Sequence, residues 1–174
     1  MGKRKSPPLL LAIILVLERF VTNKLQCYPT YLRLYAWTRL IRHWAALRWS
    51  DLLFAPPRLA KFSDEGITIV ITQTKTTGVG KKVEVLHAYV GSGAFLQESD
   101  WLRVGWILFQ EANVGNLERD FWLPLPDRGL GGFSAKEPRC SDAVAMSRKV
   151  FQSPGGFRSA RRIRSVMLVS FYRL

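Results

Sequence analysis

Cysteine and histidine are scarce in this chain of 174 residues. It has two cysteines, Cys27 and Cys140, and two histidines, His43 and His87, all far apart in the sequence. Structural zinc sites use closely spaced pairs such as Cys-x-x-Cys, and no such pair occurs here. We therefore expect no metal site, and we interpret the cysteines as buried free thiols in a reducing compartment.

Acidic residues are also few. Asp and Glu number 13 against 26 Lys and Arg, which gives a formal net charge of +13. A surplus of this size favours a polyanionic partner, with nucleic acid first and anionic membrane second. A basic surface that is merely solvated is the remaining interpretation.

Long hydrophobic runs are absent as well. The apolar stretch from Leu9 to Leu17 is too short to cross a bilayer as a helix. It follows Gly2-Lys3-Arg4-Lys5 as in a signal peptide, but Glu18-Arg19-Phe20 stands where a small-residue cleavage site would be. We predict a buried core helix and no membrane contact. A membrane-associated protein that uses this helix is kept as a third alternative.

The periodicity of apolar residues predicts a mainly helical α+β fold with a small antiparallel sheet. Helical spacing indicates helices over 9–23, from 30 to about 48–53, over 100–112 and over 141–152, with Ser99 and Ser141 as caps. A run rich in β-branched residues indicates strands 67–75 and 82–90, after a short strand near 59–62. We divide the chain into one domain over 1–152 and a basic tail over 153–174.

Two short motifs carry the functional signal. The first is Leu47-Arg48-Trp49-Ser50-Asp51-Leu52, and the second is Gln73-Thr74-Lys75-Thr76 on the hairpin. Their sequences and their spacing resemble the catalytic domain of tyrosine recombinases, the phage integrase family, and especially its divergent members in eukaryotic mobile elements. The segment 119–126 is similar to one in that subgroup. The resemblance covers about residues 9–152.

The resemblance implies DNA strand cleavage by a tyrosine nucleophile, with no metal and no cofactor. Arg48 would bind the scissile phosphate, Lys75 would act as general acid, and Asp51 would support Arg48. DNA is then the partner, the nucleus is the compartment for a mobile-element protein of a eukaryote, and oligomers are expected only of a complete recombinase.

Elementary chemistry agrees with these roles. A planar guanidinium can bind two phosphate oxygens at once, and fixed cations stabilise the charge that develops there. Arg42, Lys81 and Lys82 are expected to contact backbone phosphates. Each residue also has an ordinary interpretation: an arginine that ends a helix suits the macrodipole, and a lysine beside a turn is usually a solvated edge residue.

The sequence departs from the family pattern after the hairpin. It contains no His-x-x-Arg. Phe157-Arg158-Ser159-Ala160-Arg161 resembles that box with arginine in place of histidine, which would make Arg161 the second arginine. Tyr172 does not match the nucleophile's motif and is not assigned. We therefore expect a truncated recombinase-like domain, its C-terminal part missing, that binds DNA and is inactive alone. Whether it is an enzyme is left open, and a non-catalytic basic DNA- or RNA-binding module is the alternative.

Overall fold

The apolar run near the start of the chain forms a core helix, as predicted. In the computed structural model, which describes residues 11–23, 28–74, 79–80, 84–112, 119, 121–127, 132–134 and 136–152, this helix is α1 (Leu11–Thr22). Its inward face is buried and consists of Ile13, Ile14, Leu17, Phe20 and Val21. No helix among these residues has the length and apolar character needed to cross a membrane.

The described residues form an α+β fold, which confirms the predicted fold class. Four further helices are α2 (Thr30–Trp44), α3 (Trp49–Leu53), α4 (Trp101–Glu111) and α5 (Cys140–Gln152). The strands β1 (Lys61–Ser63), β2 (Gly66–Ile71) and β3 (Leu86–Gly91) make one antiparallel sheet in the order β1-β2-β3. A 3-10 turn covers Pro57–Leu59. The tail 153–174 lies outside the described residues.

Helix α2 is buried on all sides from Tyr31 to Ile41, although it carries two arginines there. Burying a charge is costly unless it is hydrogen-bonded. Arg33 donates from Nε and Nη2 to the carbonyl of Val21, at 3.1 and 2.7 Å, and so satisfies a carbonyl at the end of α1. Arg39 donates from Nη1 to Ser147 Oγ of α5 at 2.8 Å. These arginines therefore belong to the interior and not to a binding surface.

The sheet follows the predicted alternation but is shorter than expected. Ile67, Ile69 and Ile71 of β2 are buried on one face, as the sequence pattern indicated. The strand ends at Ile71 and not at residue 75, because Thr72 leaves the ladder. Its N–H and its hydroxyl both donate to the carbonyl of Phe54, at 3.1 and 3.0 Å. The return strand begins at Leu86, and the described residues 84 and 85 before it do not belong to the ladder.

Both predicted serine caps are wrong. Asp100 precedes α4, and no side chain caps that helix. Helix α5 begins at Cys140, so Ser141 lies inside it. The carboxylate of Asp142 accepts the backbone N–H of Arg139 at 2.8 Å instead.

Aromatic rings join the helices to the sheet. The Trp37 ring of α2 is surrounded by Phe109 of α4 and Trp122, with centroids at 5.4 and 5.9 Å. Trp106 of α4 stacks on Phe62 of β1 at 5.5 Å. Most tryptophans thus fill the core, and this packing holds the middle of α2 against α4 and the segment that contains Trp122.

A buried carboxylate fixes the loop that leads into α4. Glu18 of α1 is fully buried. It accepts the backbone N–H groups of Leu96, Gln97 and Glu98 at 2.8, 2.9 and 3.1 Å. Three charge-assisted hydrogen bonds offset the cost of burying the charge and tie this loop to α1.

Candidate nucleic-acid interface

The residues of the first motif lie where α2 turns into α3, and we call residues 42–51 the α2–α3 junction. The predicted continuation of α2 to Arg48 or beyond is wrong, because the helix ends at Trp44. Ala46 takes a left-handed conformation, with φ 53°. The N–H groups of Ala46 and Leu47 then donate back to the carbonyls of His43 and Arg42, at 3.1 and 2.9 Å. This is a Schellman-type helix end, with alanine where glycine is usual.

Arg48 therefore stands directly before α3, and its side chain is exposed. The Asp51 carboxylate accepts the backbone N–H of Arg48 at 3.0 Å. The guanidinium has donors only, so it cannot itself cap the helix. Asp51 therefore contacts Arg48 through the backbone N–H of Arg48. The macrodipole gives no reason for an arginine here, because a helix N-terminus disfavours a positive charge.

The same local motif occurs a second time, which the sequence reasoning missed. Arg139-Cys140-Ser141-Asp142 repeats the Arg-x-Ser-Asp pattern of residues 48–51. In both places the aspartate accepts the backbone N–H of the arginine, and both arginines are exposed. Arg-x-Ser-Asp is thus a way to begin a helix, and the matching spacing in the sequence was the signal for it. The motif alone does not single out Arg48.

The α2–α3 junction differs from the start of α5 in its electrostatic environment, because burial and clustered positive charges shift the pKa values of Arg42 and His43. Burial, and then the charge of Arg39, lower the pKa of Arg42 to about 10, so Arg42 stays positive at neutral pH. Burial, and then Arg42 and Arg39, also lower the pKa of His43 below its usual value of 6.5. His43 is therefore neutral at pH 7 in a field of positive charge. An anion bound at the junction would relieve this repulsion.

The hairpin base is tied to the opposite end of α3. The carbonyl of Phe54, the residue after α3, accepts both hydrogen bonds from Thr72. Helix α3 has five residues and separates Phe54 from Arg48. At 1.5 Å per residue the helix is roughly 8 Å long. The structure thus brings the end of β2 to within one short helix of Arg48. Lys75, Lys81, Lys82 and Arg161 lie outside the described residues.

The segment that begins at Arg119 has a structural role. The guanidinium of Arg119 donates to the carbonyls of Phe121 and Trp122, at 2.9 and 2.7 Å, and holds the extended chain against the core. Burial lowers the pKa of Arg119 to about 10. This arginine does not belong to the interface.

The described residues contain no group of three His, Cys, Asp or Glu side chains that could hold a metal ion. No protein-family model, no curated protein and no solved structure matches the chain.

Proposed function

We propose that this chain is a DNA-binding domain of the tyrosine-recombinase type, which binds a backbone phosphate at the α2–α3 junction and does not complete strand cleavage by itself. The observation that carries the proposal is the exposed side chain of Arg48 at the start of α3, where Asp51 holds its backbone N–H, in the same junction as the positively charged Arg42.

Phosphate suits this arrangement. Arg48 offers a planar pair of donors, which can bind two phosphate oxygens at once. Arg42 adds positive charge from a half-buried position, where solvent screens it less than at the open surface. An anion that offsets Arg42 and Arg39 would raise the pKa of His43, which burial and their charges lower. The junction therefore combines one direct contact with the supporting charge of Arg42.

The proposed role of Lys75 is that of general acid toward the leaving oxygen of the same phosphate. Thr72 is anchored at the end of α3, and Lys75 follows three residues later. Three extended residues span at most roughly 10 Å, a chain length that permits Lys75 to approach a phosphate held by Arg48. Lys81 and Lys82 are proposed to contact neighbouring phosphates.

Cleavage would also need a second arginine and a nucleophile. Arg161 is the proposed second arginine, on its sequence context alone. The sequence has no His-x-x-Arg, and Tyr172 lacks a matching motif. A phosphate clamp without a nucleophile binds DNA and forms no covalent link.

The repeated motif supplies a matched control for the test. Binding of duplex DNA is measured by fluorescence anisotropy over a range of salt concentrations for the parent, Arg48→Ala and Arg139→Ala. A lost charge-assisted pair at a phosphate should weaken binding by about tenfold for Arg48→Ala. Arg139→Ala removes an equally exposed arginine from the same local motif and should change the affinity by less than about threefold. Equal losses would contradict a special role for Arg48.

The second candidate is a non-catalytic basic DNA- or RNA-binding module. The observation in its favour is that Arg-x-Ser-Asp begins two helices in this chain, so that Arg48 need have no special function. In such a module Arg48→Ala and Arg139→Ala weaken binding alike, and each lowers the slope of log affinity against log salt by about one. The same titration distinguishes the two functions.

A further inference from the structure

Three residues with buried polar groups that lack partners are among those that line one small cavity at the α2–α3 junction. Thr38 of α2, Trp49 of α3 and Trp122 all line it. Their relative exposures are 1%, 5% and 1%. Among the described residues, Thr38 Oγ1, Trp49 Nε1 and Trp122 Nε1 have no hydrogen-bond partner. Unsatisfied buried polar atoms are rare in proteins, so three around one cavity call for an explanation.

The size of the cavity limits what can occupy it. Its volume is about 10 Å³, measured as the space open to the centre of a water-sized sphere. One water molecule needs about that much room and two to four polar partners. The rest of the wall is apolar and consists of Leu52, Leu53 and Leu123. An organic ligand does not fit in this space.

The chemistry of the three groups matches one water molecule. An indole N–H can only donate, whereas a threonine hydroxyl can donate or accept. A water molecule can accept two hydrogen bonds and donate to a hydroxyl, so its hydrogen-bonding capacity matches the two indole donors and the Thr38 hydroxyl. A small anion would need all three as donors and is the competing occupant.

We propose that one buried water molecule binds in this cavity and joins α2, α3 and the segment that contains Trp122. Trp49 is the residue after Arg48, so the water fixes the first turn of α3 on the side away from solvent. It thereby positions the backbone that carries Arg48. The site is independent of whether the junction binds DNA.

The indole N–H groups report on the water directly. In protein labelled with ¹⁵N at tryptophan, Trp49 and Trp122 should each show a rotating-frame (ROE) cross-peak to a long-lived water, with the sign opposite to that of chemical exchange. Trp37 and Trp101 are matched controls, because their buried indoles donate to the carbonyls of Leu102 and Ala94. They should show no such peak. Absence of the peak from both Trp49 and Trp122 would overturn the proposal.

The direction of the stability change caused by one substitution tests the same site. Thr38→Val keeps the shape and removes the hydroxyl, so with water present it breaks one of three hydrogen bonds. The equilibrium constant for unfolding should then rise by about fivefold or more, and only the Trp49 and Trp122 indole signals should shift. Without water, the change removes an unpaired polar group and the constant should fall, which would overturn the proposal.

A last experiment distinguishes a bound water molecule from a bound anion. Chloride is replaced by sulfate at constant ionic strength while the indole signals are followed. With water in the cavity, the Trp49 and Trp122 signals stay where they are. Shifts confined to these two signals would show that a halide occupies the site and would refute the water assignment.

Discussion

The indole of Trp37 lies directly against Gly105 of α4, in the space where a Cβ atom of any other residue would have to be. Trp37 is fully buried and its ring is held by Phe109 and Trp122, so it cannot move aside at low cost. The crossing of α2 and α4 therefore depends on a glycine.

Gly105→Ala should destabilise the domain by about 3 kcal/mol, because a methyl group there forces the two helices apart. Alanine's better helix propensity offsets about 1 kcal/mol of the strain. Chemical denaturation measures the change. Gly93→Ala is the control, since nothing lies near its Cβ position, and it should alter stability by less than about 0.5 kcal/mol. Similar values for the two variants would contradict the close approach of α2 and α4.

Glu18→Gln should weaken the link between α1 and the loop before α4. A neutral amide has one acceptor oxygen and presents its NH₂ group to backbone donors, so at least one of the three N–H groups loses its partner. The expected cost is about 1–3 kcal/mol, with faster hydrogen exchange of the Leu96–Glu98 amides. Glu111→Gln, at an exposed position on α4, should leave both quantities unchanged.

His43 should make stability depend on pH in a defined direction. Burial and the charges of Arg42 and Arg39 lower its pKa in the folded protein, so the unfolded chain binds the proton more readily. Stability should thus be constant above about pH 7.5, fall as the pH drops through 6.5, and level off below the folded pKa. His43→Gln should remove this component. Persistence of the same component in that variant would assign it to another group.

The same histidine reports on the proposed interface. Adding duplex DNA should raise the pKa of His43, because a phosphate at the junction offsets Arg42 and Arg39. The shift is followed by NMR through the His43 ring signal, with the His87 ring on β3 as internal reference. A His43 pKa that stays constant in saturating DNA would place the phosphate contacts elsewhere.

Nicked or suicide DNA substrates should give no covalent protein–DNA adduct with this chain. The sequence offers Arg48 and Lys75 for the phosphate but neither a His-x-x-Arg box nor a recognisable nucleophile motif. Denaturing gels of labelled substrate are the measurement. An adduct that disappears in Tyr172→Phe would identify Tyr172 as a nucleophile and show that the domain is catalytic.

Much of the fold could be predicted from local patterns. The alternating isoleucines of β2 fixed the buried face of the sheet, and the apolar spacing of α1 fixed its inward side. The end of α2 could not be predicted, because Ala45 and Ala46 carry no turn signal and alanine rarely takes the left-handed conformation found at Ala46.

The site was only partly predictable for a related reason. The Arg48–Asp51 relationship is local and follows from a spacing of three residues. The burial of Arg39 depends on Ser147, which is 108 residues away in sequence, so that no local pattern could have shown it. The unpartnered groups around Thr38 likewise come from three separate segments.

The three hydrogen bonds of the buried Glu18 carboxylate can form only after the ribosome has synthesised residues 96–98. Its three partners are 78–80 residues further along the chain. At about 5–20 residues per second, translation makes Glu18 wait roughly 4–16 s for them. Helix α2, which packs on α1, is synthesised during that interval, but the Glu18 carboxylate still lacks its three backbone partners. The α1–α2 pair is therefore the earlier unit in synthesis, and the tie to the loop before α4 is added later.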